Sequence, residues 1–409
     1  MRTRSRWLLG ALVCLVLLGI GLNQVPAVRT AVAWRYEKLT LYVRNLVDPI
    51  GPAPTALPVT APAPTPTLTA APPTGTTTAA APTATATAVP PPPQAMLESP
   101  PFEKQTPNNC GPATLSMALH MYGWEGDQAE IAAQIKPVLQ DRNVNPEEMA
   151  YYVRNFAGWL NVEYRVNGDL ELLKRLLAAR YPVMVESTTS LDPNDALGAS
   201  DDLWAAHYLL LTGYDDATMT FTAQDSYHGA NQLVPYTQLA EDWAAFNHLY
   251  MVVFLPEEQA EVAGILGADW DAEQNRLRAL AAAEAATKES PDDAFEWFNL
   301  GSNLVYFERY EEAARAYDQA RQLGLPQRMF RYQFGPFLAY FHSNRNEDLL
   351  LLANYALGWP GSEEAWLWQG WGLYRKGDVE GAVAAWNKAL SINPSNYVDA
   401  RFALQRVGY

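Results

Sequence analysis

Two cysteines occur in this chain, and one of them, Cys110, sits where a thiol becomes a nucleophile. In the run QTPNNCGPATLSMALHMYG, residues 105–123, Leu115, Ala118, Leu119 and Tyr122 recur at helical spacing behind Cys110. Gly111 and Pro112 give a sharp entry and a first turn that tolerates proline. The spacing predicts a helix whose unpaired first-turn N–H groups and positive dipole end favour a thiolate at Cys110. Gln105, upstream, is placed to loop back and set its side-chain amide beside the Cys110 N–H as an oxyanion hole.

A nucleophilic thiol needs a base, and HYLLLTGYDDATMTFTAQD, residues 207–225, offers one. It is expected to form two strands around a turn at 213–217. With that turn centred near Asp216, His207 lies directly across from Asp225, and such neighbours share a face with β-carbons about 4.5–5.5 Å apart. Asp225 then fixes the ring tautomer and leaves the other nitrogen to take the thiol proton. A one-residue slip would break the pairing. Each residue also has a plainer reading: Cys110 as a small buried side chain, His207 as a core histidine, Asp225 as a turn residue, Gln105 as a surface group. His228 is a rival base in a polar turn, and Asn108 and Asn109 are expected to shape the loop before the helix.

The elements that must position these groups follow from pattern. Helices are expected at 146–157 and 169–180, the second opening at Asp169 as N-cap and stopping at Tyr181-Pro182. VMVES, 183–187, is expected as a buried strand, and 250–255 as the last strand.

The order Gln105, CGPA from Cys110, His207 opening a strand, GYD, and Asp225 closing the next strand resembles the papain-like cysteine peptidases of the bacteriocin-processing, double-glycine type. It is more similar to their bacterial branch that is not fused to a transporter. The likeness spans about 101–256. It implies an α+β fold, a papain-like domain with a helix-borne cysteine and an antiparallel sheet carrying histidine and aspartate. By resemblance Cys110 is the nucleophile, His207 the general base and then acid, Asp225 the orienting group and Gln105 the oxyanion donor, with peptide hydrolysis through an acyl-thioester. Two departures stand out. Ser226 follows Asp225 where the family pattern commonly has proline. Leader cleavage belongs to members attached to an exporter and working on the cytoplasmic side, so that substrate class does not carry over.

The 409 residues, 49% of them hydrophobic, suffice for two or three domains, and a net charge of −16 argues against nucleic acid as a partner. MRTRSR precedes an uncharged run at 7–22 that holds the other cysteine, Cys14. The positive-inside rule keeps Arg2, Arg4 and Arg6 in the cytoplasm and places the rest outside. The expectation for 1–50 is therefore a single-pass signal anchor with a juxtamembrane segment, secretion after cleavage near Ala31-Val32-Ala33 being the alternative. Residues 51–98, rich in Pro, Thr and Ala, are expected as a disordered linker, a stalk reaching about 130 Å. The peptidase domain is expected at 99–256, its acidic loop 192–202 either merely solvated or a mobile rim.

From 257 to 409 the pattern is helical. Gly301, Gly335 and Gly370 are spaced 34 and 35 residues apart, and Ala313 and Ala382 are 69 apart. The flanking segments are similar to tetratricopeptide repeats, with a degenerate middle copy around 330–357, a preceding helix at 271–289 and a capping helix at 395–407. The concave face of such a stack usually binds a peptide or protein partner, a purely structural role being the alternative. There is no phosphate-binding glycine loop, no cysteine pair for zinc and no HExxH, so neither metal nor cofactor is expected. The expected function is an extracytoplasmic, membrane-tethered cysteine peptidase acting on a peptide or protein substrate. The alternatives are a thiol-dependent acyl or amide transferase on the same scaffold, and a non-catalytic peptide-binding protein.

Overall fold

The computed structural model describes residues 25–58, 90–138, 141–359, 362–393 and 398–409. The run 7–22 with Cys14, and residues 59–89 of the Pro/Thr/Ala tract, lie outside them. Among the described residues no helix is long and apolar enough to cross a membrane.

Helix α1 (Pro26–Val47) precedes an α+β body. In chain order the body comprises β1 (Gln94–Met96), α2 (Cys110–His120), α3 (Gln128–Ile135), α4 (Pro146–Phe156), β2 (Asn161–Arg165), α5 (Leu170–Ala178) and β3 (Val183–Ser190). It continues with β4 (Trp204–Asp215), β5 (Thr220–Asp225), β6 (Gly229–Pro235), α6 (Tyr236–Ala244), β7 (Tyr250–Phe254) and α7 (Gln259–Leu266). The strands form one antiparallel sheet in the order β2-β7-β3-β4-β5-β6, with β1 paired to the far end of β4.

Alternation along the strands divides the core. Val183, Val185, Leu209 and Leu211 face one way, onto Leu172, Leu173, Leu176 and Leu177 of α5. Met184, Tyr208 and Leu210 face the other way, onto Leu115, Ala118 and Leu119 of α2. Helix α5 begins where its cap dictates: the Asp169 carboxylate accepts the Leu172 N–H at 2.7 Å.

The hairpin register differs from expectation. Its turn occupies 216–219, not 213–217, with Asp215 facing Thr220 and Tyr214 facing Phe221. Continued unbroken, that register would set Asp225 opposite Leu210, on the sheet face away from His207. A bulge between Leu211 and Gly213 restores the parity, so that Leu211 faces Ala223 and Leu210 faces Gln224. Asp225 then falls opposite Leu209, and His207 is its diagonal neighbour on the same face, not its direct partner. The bulged residue, Thr212, gives its carbonyl to the Leu97 N–H at 2.8 Å, a bond from outside the hairpin.

Both ends of the expected linker are structured. Residues 94–96 are a strand, Leu97 is in the core, and 48–58 lie along the helical region, where Ala53 is buried. The helical region holds α8 (Ala272–Glu289), α9 (Ala294–Tyr306), α10 (Tyr310–Leu323), α11 (Met329–Tyr332), α12 (Gly335–His342), α13 (Asn346–Gly358), α14 (Glu363–Arg375), α15 (Val379–Ile392) and α16 (Val398–Arg406). Gly301, Gly335 and Gly370 are close-approach points. A Cβ at Gly301 would stand 2.6 Å from the Tyr317 ring, and one at Gly370 would stand 2.3 Å from Trp386 Nε1.

The helical region is bonded to the sheet domain along its length. Asn303 accepts from Asn247 at 2.9 Å, Asn299 donates to the Ala244 carbonyl at 2.8 Å, and Gln333 donates to the Ala245 carbonyl at 2.7 Å. Trp204 stacks on Phe246 and packs against Tyr332. The acidic loop is neither bare nor loose. Asp201 pairs with buried Arg328, Asp202 accepts from the Gln327 N–H at 2.8 Å, and Asp195 pairs with Lys38 at 2.9 Å.

Candidate active site

Cys110 is the first residue of α2, so its N–H has no intrahelical partner and points with the helix dipole toward the entering chain. Asn108, at φ 58, makes the reversal that aims the chain into the helix, a conformation asparagine tolerates. Thr114, in the second turn of α2, donates its hydroxyl to the Tyr208 carbonyl at 3.1 Å, pinning the helix beside His207.

His207 is nearly buried, and its Nε2 lies 2.8 Å from Asp225 Oδ1. The imidazole and the Cys110 thiol line one cleft, and each shifts the other's titration. With Nε2 on the carboxylate, Nδ1 is the nitrogen left for the thiol. The electrostatics follow. Burial alone would raise the Cys110 thiol, but the His207 hydrogen bond and charge, helped by Lys136, bring it below its usual range. Burial would lower His207, yet the Asp225 and Cys110 bonds lift it to about 9. Asp225, despite partial burial, is held well below the usual carboxylate range by His207 and by the His228 N–H. The three shifts run in the directions that favour thiolate, imidazolium and carboxylate.

Asp225 has further partners. Its Oδ1 accepts the N–H groups of Tyr227 and His228 at 2.8 and 2.9 Å, and its Oδ2 meets His228 Nδ1 at 2.8 Å. The His228 ring therefore stands on the other carboxylate oxygen from the one that holds His207. Gln105 lines the same cleft as Cys110. Its backbone N–H donates to the Ser226 carbonyl at 2.9 Å, and its side-chain oxygen accepts from Ser226 Oγ at 2.9 Å. Ser226 thus makes a bond that proline could not make, and it turns the amide so that the NH2 group remains for another acceptor.

Several supporting residues escaped the sequence reading. Gln128 accepts from the Thr106 N–H and from Asn109 Nδ2, both at 2.8 Å, and donates to the Lys104 carbonyl at 2.9 Å, clamping the loop that carries Gln105. Lys136, buried, reaches the Asn108 carbonyl. No local pattern marks either residue, since both act across turns of irregular chain. The cleft, of about 760 Å³, is also lined from the helical region: Arg328, Arg331 and Tyr332 border it together with Cys110 and His207. Arg331 donates to Asn108 Oδ1 at 3.2 Å, one residue from the N-cap of α2. Among the described residues no cluster of side chains has metal-ligating geometry.

Comparison with known proteins agrees with this architecture. Residues 89–251 match the model of the Peptidase_C39 like family, and residues 363–396 match the tetratricopeptide repeat. Among solved structures, a putative C39-like peptidase from Bacillus anthracis is 16% identical, covering 39% of this chain and 96% of its own, with a TM-score of 0.31. The peptidase domain of Streptococcus ComA is 13% identical over 39% of this chain and 99% of its own, TM-score 0.30. Xylellain, a cysteine protease from Xylella fastidiosa, is 14% identical over 40% of this chain and 87% of its own, TM-score 0.32. No curated protein matches. The sheet domain, with its helix-borne cysteine, is the part of the chain that matches the Peptidase_C39 like family, and a segment of the helical region that follows matches the tetratricopeptide repeat.

Proposed function

We propose that the chain hydrolyses peptide bonds through Cys110, His207 and Asp225, with Gln105 stabilising the oxyanion. The observation that carries this reading is the His207 ring held by Asp225 Oδ1 at 2.8 Å in the same cleft that Cys110 lines from the start of α2. The thiolate attacks the scissile carbonyl, and the negative oxygen is received by the Cys110 N–H and the Gln105 amide. His207 gives its proton to the leaving amine as the C–N bond breaks and an acyl-thioester forms. Water then attacks the thioester, His207 taking a proton from it, and the C–S bond breaks to release the acid product with thiolate and imidazolium regenerated. Asp225 keeps the tautomer and the imidazolium throughout. The repeat wall at Arg328, Arg331 and Tyr332 supports a role for the repeats in presenting a protein substrate at the cleft itself. The uncharged run at 7–22 supports anchorage in a membrane with the enzyme outside.

A peptide library presented to the full chain under reducing conditions tests the reading. Cleavage is expected with the native protein and is expected to vanish in Cys110→Ala. A thiol-directed electrophile should label Cys110 stoichiometrically, and His207→Ala should slow that labelling on the order of 100-fold or more. Equal, slow labelling of both proteins, with no peptide cut, would overturn it.

A further inference from the structure

Helix α1 presents two different faces. One is bonded to the cleft: Lys38 pairs with Asp195 at 2.9 Å and reaches the Asn194 carbonyl, and Asn45 donates to the Leu197 carbonyl at 2.7 Å. Asn194, Asp195 and Leu197 all line the cleft. The opposite face carries Val32, Tyr36, Leu39, Val43 and Leu46, each more than half exposed, in a continuous stripe at helical spacing. The chain then continues along the repeats. Arg321 donates to the Pro54 and Thr55 carbonyls at 2.8 and 3.0 Å, and the Leu57 N–H donates to Asp348 at 3.0 Å. On the other side of the Pro/Thr/Ala tract, the Asp216 N–H donates to the Pro93 carbonyl at 2.9 Å. Both ends of the tract are therefore fastened to the same body.

We propose that the outward stripe of α1 lies on the membrane surface, which holds the cleft against the bilayer. The inference rests on the anchor reading of 7–22. That uncharged run ends at Leu22 and α1 begins at Pro26, so the helix has almost no chain by which to leave the surface. Charge agrees with the choice of a lipid surface. Residues 26–47 hold Arg29, Arg35, Lys38 and Arg44 against the single acid Glu37, in a chain of net charge −16. Arg35 and Arg44 are exposed, where they can meet lipid phosphates while the stripe enters the acyl boundary. The stripe spacing would also suit a coiled-coil seam with a second copy. The positions flanking such a seam are Ala33, Thr40 and Val47 on one side and Arg35 and Tyr42 on the other, with no opposite charges to pair.

The test uses the full chain reconstituted in phosphatidylcholine–phosphatidylglycerol vesicles, with one nitroxide label at a time. Cys14 is labelled in Cys110→Ala; Leu39→Cys, Val43→Cys and, as a control on α16, Phe402→Cys are each combined with Cys110→Ala and Cys14→Ser. Collision with oxygen and with a water-soluble nickel complex reports depth. Labels at 14, 39 and 43 are expected in lipid, and the label at 402 in water. If 14 is in lipid while 39 and 43 match 402, the surface docking is wrong and the anchor stands. If 14 is also in water, the anchor reading fails and takes the docking with it. Strong spin–spin broadening at 39 would mean a second copy covers the stripe, and would also overturn the proposal.

Discussion

At the scale of single residues, the site depends on two opposed titrations. Cys110 is held below the ordinary thiol range and His207 is held at about 9, so the ion pair is present between the two values. The pH profile of kcat/KM should therefore rise on the acid side, as Cys110 loses its proton below its ordinary value. It should fall near pH 9, as His207 loses its own. The rate of inactivation by an alkylating agent should show the same acid limb, and a limb near the ordinary thiol value would contradict the pairing. Asp225 and His228 separate by what each supports. Asp225→Asn removes the charge that lifts His207, so its expected loss in kcat is on the order of 10³–10⁴, with the basic limb moved to lower pH. His228→Ala leaves His207 and two backbone N–H groups on Asp225, and about ten-fold or less should be lost. Steady-state kinetics of the two variants across pH decides between them. An equal loss in both would mean that His228 takes part in proton transfer.

At the scale of elements, the helix of Cys110 and the cap at Asp169 were legible because both are local: a periodic apolar stripe and a capping carboxylate are written within a few residues. The hairpin was only half legible. Its two strands follow from alternation, but the Thr212 bulge is held by the Leu97 N–H, just past β1 in a segment that sequence alone assigned to a linker. That remote bond decides which face Asp225 shares, so no local pattern could supply it. The repeats were legible through Gly301, Gly370, Ala313 and Ala382, small residues at a fixed period. The short α11 was not, because it breaks the period in order to reach the cleft. Arg328, just before α11, is the joint between the two regions, buried on Asp201 and donating to the Trp204 carbonyl at 3.0 Å. Arg328→Met should cost about 3–5 kcal/mol, the usual penalty for stranding a buried charge. It should also raise KM more than it lowers kcat, since the 192–202 wall loosens while the Cys110–His207 line remains. Thermal melts and steady-state kinetics on the same variant read both effects, and a loss confined to kcat would contradict the assignment of Arg328 to the wall.

At the scale of the whole molecule, the sheet domain and the repeats share a buried ionisable cluster behind the nucleophile helix. Asp141 and Glu148 come from the first, and Glu363, Glu364 and Asn393 from the second. Asn393 donates to Asp141 at 3.2 Å and to Glu363 at 3.3 Å. Burial pushes all four carboxyls up; neighbouring carboxylates add to it at Asp141, Glu148 and Glu364, and Lys136 opposes it at Asp141, Glu148 and Glu363; Glu148 is raised to about 8. The fold therefore keeps protons that the unfolded chain releases above the ordinary carboxylate range. Wherever the folded state binds more protons, stability falls as pH rises. The contribution of Glu148 is thus fully present below about pH 4.5 and is lost progressively until the group titrates near 8. Lys136, lowered by burial, pulls the other way, so the comparison must isolate one group. Glu148→Gln does this, because an amide oxygen can still accept the Asn145 N–H that caps α4 at 2.8 Å. Calorimetry of the two proteins should give nearly equal Tm at pH 5 and a Tm that favours the variant at pH 8, the gap widening steadily between. Because the cluster belongs to both regions, each melt should be one transition. A gap constant with pH would mean that Glu148 is already ionised in the fold, and two separated transitions would mean that the repeats do not share stability with the catalytic domain.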